Sequence, residues 1–256
     1  MSQIRVEATT ELPFCNSLDG ITVALSDLAV RSDKNILEER PLESPFVEFV
    51  WHIQITDSSL FVFPAVSHWG IVVARHNGNV TLSVIGPQTM AKPAHWPKDA
   101  ELYGVSFRHG AYMPYLPPSI ARDRRLVLPQ ATSKTFWLNG SAWQFPDYRS
   151  MDTFVERLAR DDLLILDDGV TAALQGQATY FTARSLQYHF LRATGATRSF
   201  IRQVERARLA KALILRGTPI VDAASQTGYF DQAHLNRSLK RFVGLTSSQI
   251  GRRGRL

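Results

Sequence analysis

The chain has 256 residues, 45% of them hydrophobic and 20% charged, a balance that excludes wholesale disorder, collagen-like repetition and a bundle of membrane spans. Its single cysteine, Cys15, excludes an intramolecular disulfide and any zinc site built on paired cysteines, so a reducing compartment is expected. The net charge of +6 is unevenly placed: residues 1–168 carry 15 Lys and Arg against 20 Asp and Glu (−5), while residues 169–256 carry 14 against 3 (+11).

The opening MSQIRVEATTELPF lacks the apolar run or the Arg-rich amphipathic pattern of a targeting segment. No stretch approaches about 18 consecutive apolar residues, so neither a membrane span nor a membrane partner is expected, and the predicted location is the cytoplasm.

Residues 45–55, 59–66, 69–75, 79–86 and 101–107 are short runs rich in Val, Ile, Phe and Trp, punctuated by Gly, Pro, Asn and Asp. They predict strands of a small barrel or sandwich. Asn77 and Gly78 can take the positive φ of a tight turn, so the runs on either side should form a hairpin. Residues 111–146 carry no regular period and receive no assignment, although Phe136, Trp137, Trp143 and Phe145 cluster there.

After Pro146 the strand signals stop and Phe154, Val155 and Leu158 fall at helical spacing, with Ser150 placed to accept an amide hydrogen bond at the helix start. This predicts a boundary, with a β-rich domain over 1–148 and an all-α domain over 149–256. The fold class is therefore α+β.

The second part divides at its glycines. A short helix carries Val170, Ala173 and Leu174 and ends at Gly176; a second is capped by Thr182, buries Leu186 and Phe190, and closes at Gly195. A longer helix spans 200–215 and stops at Gly217. Pro219 opens another short helix, Gly228 turns the chain, and Asp231 caps a last helix with Leu235, Leu239 and Phe242 inward. The pattern reads as two helix-turn-helix units joined by one connecting helix.

In that arrangement the stretches TARSLQYHFLRATGATRSFIRQVERARLAKALILRG (182–217) and IVDAASQTGYFDQAHLNRSLKRFVGLT (220–246) resemble the DNA-binding domain of the AraC/XylS family of bacterial transcription regulators. Carrying the resemblance are the Gly-aromatic pair, Asp-Gln, the His-Leu-x-Arg segment and Lys-Arg-Phe before Gly and Thr. It covers about the last hundred residues. Two departures stand beside it. Ser247 replaces the family's usual Pro, which predicts a looser final cap, and the first unit has a longer turn over 177–181 in place of an acidic helix start.

With Leu186 and Phe190 inward, Arg184, Gln187 and Tyr188 project outward; in the second unit Gln232, His234, Asn236 and Arg237 face away from Leu235 and Leu239. The resemblance puts the family's base-reading positions on these residues. Arg184 and Arg237 suit guanine, and Gln187, Gln232 or Asn236 suit adenine. Lys240, Arg241, Arg198 and Arg202 are expected at phosphates, whereas Arg206 and Arg208 either pair with acidic neighbours or pack their stems. The connecting helix is too short to match a full duplex turn of about 34 Å, so a bent or asymmetric site is expected.

The β-rich N-terminal domain is expected to be a cupin-like barrel or sandwich, and the resemblance further implies that a domain in this position senses a small-molecule effector or forms a homodimer. Trp51, Trp69, Trp96, Phe107, Trp137 and Trp143 can either line a cavity for such an effector or serve as core. Histidines 52, 68, 76, 95 and 109 raise a metal enzyme as an alternative, but the close His-x-His pair followed by Glu is missing. Hydrolase and nucleotide-binding signatures are missing too. The expectation is a DNA-binding transcription regulator, with double-stranded DNA as partner, no catalytic residues, no metal and no cofactor. A protein-interaction module using the same helices on an acidic partner is the remaining alternative.

Overall fold

The computed structural model describes residues 36–56, 60–174 and 181–254, together with the short strands β1 (Ala8–Thr9), β2 (Ser17–Leu18) and β3 (Ile21–Thr22). The main strands follow as β4 (Ile36–Arg40), β5 (Val47–Gln54), β6 (Leu60–Phe63), β7 (Gly70–His76), β8 (Asn79–Ile85), β9 (Lys92–His95) and β10 (Glu101–Phe107). Shorter ones complete the β-rich part: β11 (Ala111–Tyr112), β12 (Arg125–Val127), β13 (Gln130–Thr132), β14 (Thr135–Leu138) and β15 (Ser141–Gln144). Seven of them form one antiparallel sheet in the order β1-β12-β8-β7-β10-β5-β4.

The β7–β8 hairpin closes on Asn77 (φ 48°) and Gly78 (φ 76°), with His76 opposite Asn79, the two-residue turn whose twist matches that of the strands. Successive side chains point to opposite faces, and here both faces are covered. Ile71, Val73, Leu82, Val84, Tyr103 and Val105 enter one core, while Trp51, Val72, Ala74, Ile85 and Leu102 enter another. This is why the strands read as continuous apolar runs.

Residues 111–146, unassigned from sequence, contain the three-stranded sheet β13-β14-β15. It turns on Asn139 (φ 48°) and Gly140 (φ 78°), and the cross-strand pair Phe136 and Trp143 seals the first core. Trp51, Trp69, Phe107 and Trp143 are buried core residues, Trp96 packs on the second core, and Trp137 is 47% exposed. Of the histidines, His52 lies 3.1 Å from Glu101 and stacks on Tyr148, and the rings of His68 and His109 meet at a tilt with centroids 3.8 Å apart. Among the described residues no three His, Cys, Asp or Glu side chains gather as a metal-ligand group.

Among the described residues seven α-helices follow: α1 (Met151–Arg160), α2 (Asp168–Leu174), α3 (Ala183–Thr194), α4 (Arg198–Leu215), α5 (Ile220–Gln226), α6 (Gln232–Phe242) and α7 (Ser247–Arg253), with β16 (Ile165–Leu166) between α1 and α2. The architecture is thus α+β, antiparallel sheets first and an all-helical region after. None of these helices is long and apolar enough to cross a membrane.

Ser150 does precede α1, but its side chain makes no cap bond. Its Oγ instead accepts the Asp147 N–H at 3.0 Å while the Ser150 N–H donates to Asp147 Oδ1 at 2.7 Å, closing a local turn. Helix α1 buries Met151, Phe154, Val155 and Leu158 in the first β-sheet core, so that core continues past residue 148. The expected end of α2 at Gly176 lies outside the described residues.

Candidate nucleic-acid interface

Helices α3, α4 and α6 each start on a side-chain cap. Thr182 accepts the Ser185 N–H to begin α3, Thr197 accepts the Phe200 N–H to begin α4, and Asp231 accepts the His234 N–H at 2.6 Å to begin α6. Gly195 ends α3 at φ 69°, a left-handed conformation that costs other L-residues roughly 1–2 kcal/mol. A Cβ there would also lie 2.8 Å from the carbonyl carbon of Pro118.

The last cap departs from the sequence expectation. Thr246 and Gln249 form a reciprocal capping box at the start of α7, and the Ser247 N–H donates to Asn236 Oδ1 at 2.9 Å. A proline at 247 would have no N–H to give. Serine therefore ties α7 to α6 and the end is firmly capped.

Two helical cores share α4. Its first half supplies Phe200, Ile201, Val204 and Ala207 to a cluster with Val170, Ala173, Phe190, Ala193 and Phe242. Its second half supplies Ala210 and Ile214 to a cluster with Ala223, Ala224, Leu235, Leu239 and Ile250. Helix α3 thus rests on the first half of α4, while α6 runs along α4, with Leu235 and Leu239 on its second half and Phe242 on its first. The 18 residues of α4 make a rod of about 27 Å at 1.5 Å per residue.

The polar faces opposite those stripes carry the residues singled out from the sequence. On α3, Arg184 and Gln187 are exposed and Tyr188 is 63% exposed. On α6, Gln232, Arg237, Lys240 and Arg241 are exposed. His234 is half-buried, its ring edge-on to Tyr229 at 5.1 Å, and Asn236 is half-buried against Ser247. Arg202 is exposed on α4, whereas Arg198 is half-buried and its Nη2 donates to the Ala173 carbonyl at 2.9 Å.

The two arginines left between readings have separate fates. The Arg206 guanidinium lies over the Tyr229 ring at 4.3 Å, and Arg208, 2% exposed, pairs with the buried Glu205 at 3.5 Å.

Sequence reasoning missed how the β-rich part holds the far ends of both outward helices. At α6 the Phe242 carbonyl accepts the Ala65 N–H at 2.6 Å and the Arg241 carbonyl accepts the Ala91 N–H at 2.7 Å. At α3 the Arg192 guanidinium lies 4.9 Å from the Tyr112 ring centroid, next to Gly195 on Pro118. Between them Ser67 Oγ donates to Glu205 Oε1 at 3.2 Å and sits 3.2 Å from His109 Nε2. Both carbonyls belong to the last turn of α6, where intrahelical donors run out, and the backbone amides of Ala65, just after β6, and Ala91, just before β9, supply them. No periodicity in the sequence announces such a contact.

The class these features define is a tandem helix-turn-helix, two outward helices braced on a common connecting helix. Residues 176–253 match the family model described as a helix-turn-helix domain, and this segment is an AraC-type helix-turn-helix domain, a kind of domain that implies DNA-binding transcription regulation. No curated protein and no solved structure matches the chain.

Proposed function

We propose that the protein is a sequence-specific transcription regulator that lays α3 and α6 in neighbouring major-groove segments of one duplex, and that it is a binding protein rather than an enzyme. The observation that carries the reading is the division of both helices: apolar stripes buried against α4, and polar faces with Arg184, Gln187, Tyr188, Gln232 and Arg237 open to solvent. In this reading Arg184 and Arg237 take guanine, Gln187 and Gln232 take adenine, and Tyr188, His234 and Asn236 complete the reading faces. Lys240, Arg241, Arg198 and Arg202 hold phosphates and set register. A rod of about 27 Å against a duplex turn of about 34 Å calls for bent or asymmetric DNA.

The proposed division of labour gives 149–256 to DNA and 1–148 to effector sensing or dimerisation in the cytoplasm. Helix α1 shares its buried face with the first part. Bonds from Ala65 and Ala91 to the last turn of α6, and from Ser67 to Glu205 on α4, give the β-rich part a grip on the reading helices without covering their faces.

Selection of bound sites from a random duplex library tests the proposal. A defined site should emerge, and affinity should fall with salt by about 0.9 log units per phosphate contact for each log unit of salt. Arg237→Ala should lose discrimination at one base pair, by about 1–3 kcal/mol, while Lys240→Ala weakens specific and random DNA alike. Enrichment of no site, or equal losses for Arg237→Ala on both kinds of DNA, would defeat it.

A further inference from the structure

We propose that Phe230 is a specificity-determining residue that packs on the 5-methyl group of a thymine in the major groove, an inference that rests on the DNA-reading proposal above. Phe230 is 94% exposed, more than any other large hydrophobic residue among those described. It stands immediately before the cap of α6, at the helix end that meets base edges in a helix-turn-helix.

The turn around it is pinned from both sides. Tyr229 is buried, its hydroxyl lies 2.7 Å from Ser238 Oγ, its ring carries the Arg206 guanidinium, and its N–H donates to the Ala224 carbonyl at 2.9 Å. On the other side Asp231 is committed to the His234 N–H. These bonds fix the backbone from which the Phe230 side chain projects.

An apolar residue just before a cap ordinarily packs on the fourth residue of the helix, here Leu235. Leu235 is fully buried in the core of the second unit while Phe230 stays in solvent, so that contact is not made. A phenyl ring brings no hydrogen bond to a phosphate or to a polar base edge. The apolar group on the major-groove floor is the thymine methyl, and Phe is among the side chains that contact it.

The test uses the full chain and a site enriched from the random library, with each thymine replaced singly by uracil, a change that removes only the methyl group. At one thymine the wild-type protein should bind the uracil duplex roughly fourfold more weakly, the value of one methyl group returned to water. Phe230→Ala should bind the parent site about five- to tenfold more weakly and be indifferent to that uracil, and Phe230→Leu should stay sensitive to it. An unchanged melting temperature for Phe230→Ala confirms that the loss arises at the DNA.

Indifference of the wild-type protein to every uracil overturns the proposal, as does a Phe230→Ala variant that keeps the full uracil penalty. If Arg237→Ala still loses discrimination at its own base pair in those experiments, the DNA-reading proposal stands and only the role of Phe230 falls. If no site is enriched, both fall.

Discussion

Replacing Glu205 with glutamine should change how stability depends on pH, by an amount that follows from where the carboxyl sits. Glu205 lies on α4, is 6% exposed, accepts the Ser67 hydroxyl and stands 3.5 Å from Arg208. Burial pushes its carboxyl up from 4.5 to about 7, against the downward pull of Arg208 and Ser67 and with a smaller upward push from Glu48. Because the folded value exceeds the unfolded one, the stability contributed is complete below pH 4.5 and is lost as pH rises to about 7. The difference of 2.5 units (7 − 4.5) corresponds to about 3 kcal/mol at roughly 1.4 kcal/mol per unit.

The neighbouring His68 and His109 act in the opposite sense. Burial lowers both, His109 from 6.5 to about 4, so the contribution of His109 is complete above pH 6.5 and fades as pH falls to about 4, and that of His68 has the same sense. In the wild-type protein the opposing terms blunt each other between these limits. Glu205→Gln removes one of them, so the stability of the variant relative to wild type should climb by about 3 kcal/mol from pH 4.5 to pH 8. Urea unfolding of both proteins at intervals across that range measures it. An offset from setting an amide against Arg208 is the same at every pH, so the slope carries the test. A difference that stays flat would refute the assignment of a buried, high-pKa carboxyl at the joint between the two parts.

Other perturbations probe the elements that place the interface. Gly195→Ala forces a methyl group toward Pro118 and Ser119 at positive φ; a loss of about 2 kcal/mol should lower the melting temperature by roughly 5 °C, and an unchanged transition would contradict the close approach. Asp231→Ala deletes the cap of α6 and should cost about 1 kcal/mol in urea unfolding; a neutral result would mean that another group holds the His234 amide. Ser247→Pro and Asn236→Ala remove the two halves of one hydrogen bond, so a double-mutant cycle should give a coupling of about 1 kcal/mol, and simple additivity would deny the bond.

Much of the helical part was legible because its signals are local. Thr182, Asp231, Gly195, Gly217, Gly228 and Gly244 punctuate the chain where the helices start and stop, and cap chemistry and positive φ act within a few residues. The inward stripes Leu186, Phe190, Leu235 and Leu239 follow from the 3.6-residue period. In the β-rich part Asn77-Gly78 announced its hairpin, but the same pair at Asn139-Gly140 went unused. The flanking strands have only four residues each, too few for a period, and only pairing across the turn brings Phe136 and Trp143 together.

What the amino-acid sequence determined by itself was where the helices lie, which stripe of each turns inward and where positive charge accumulates, since all of these depend on neighbours within a turn or two. The tertiary structure alone decided that Ser247 fastens Asn236, that Ser150 turns back to Asp147 and that Arg208 is enclosed with Glu205. It alone brought Ala65 and Ala91 to the last carbonyls of α6. The long-range contacts among these join residues more than a hundred positions apart, between groups that any surface could offer. Their pairing is set by how two cores dock, a geometry that no local pattern encodes.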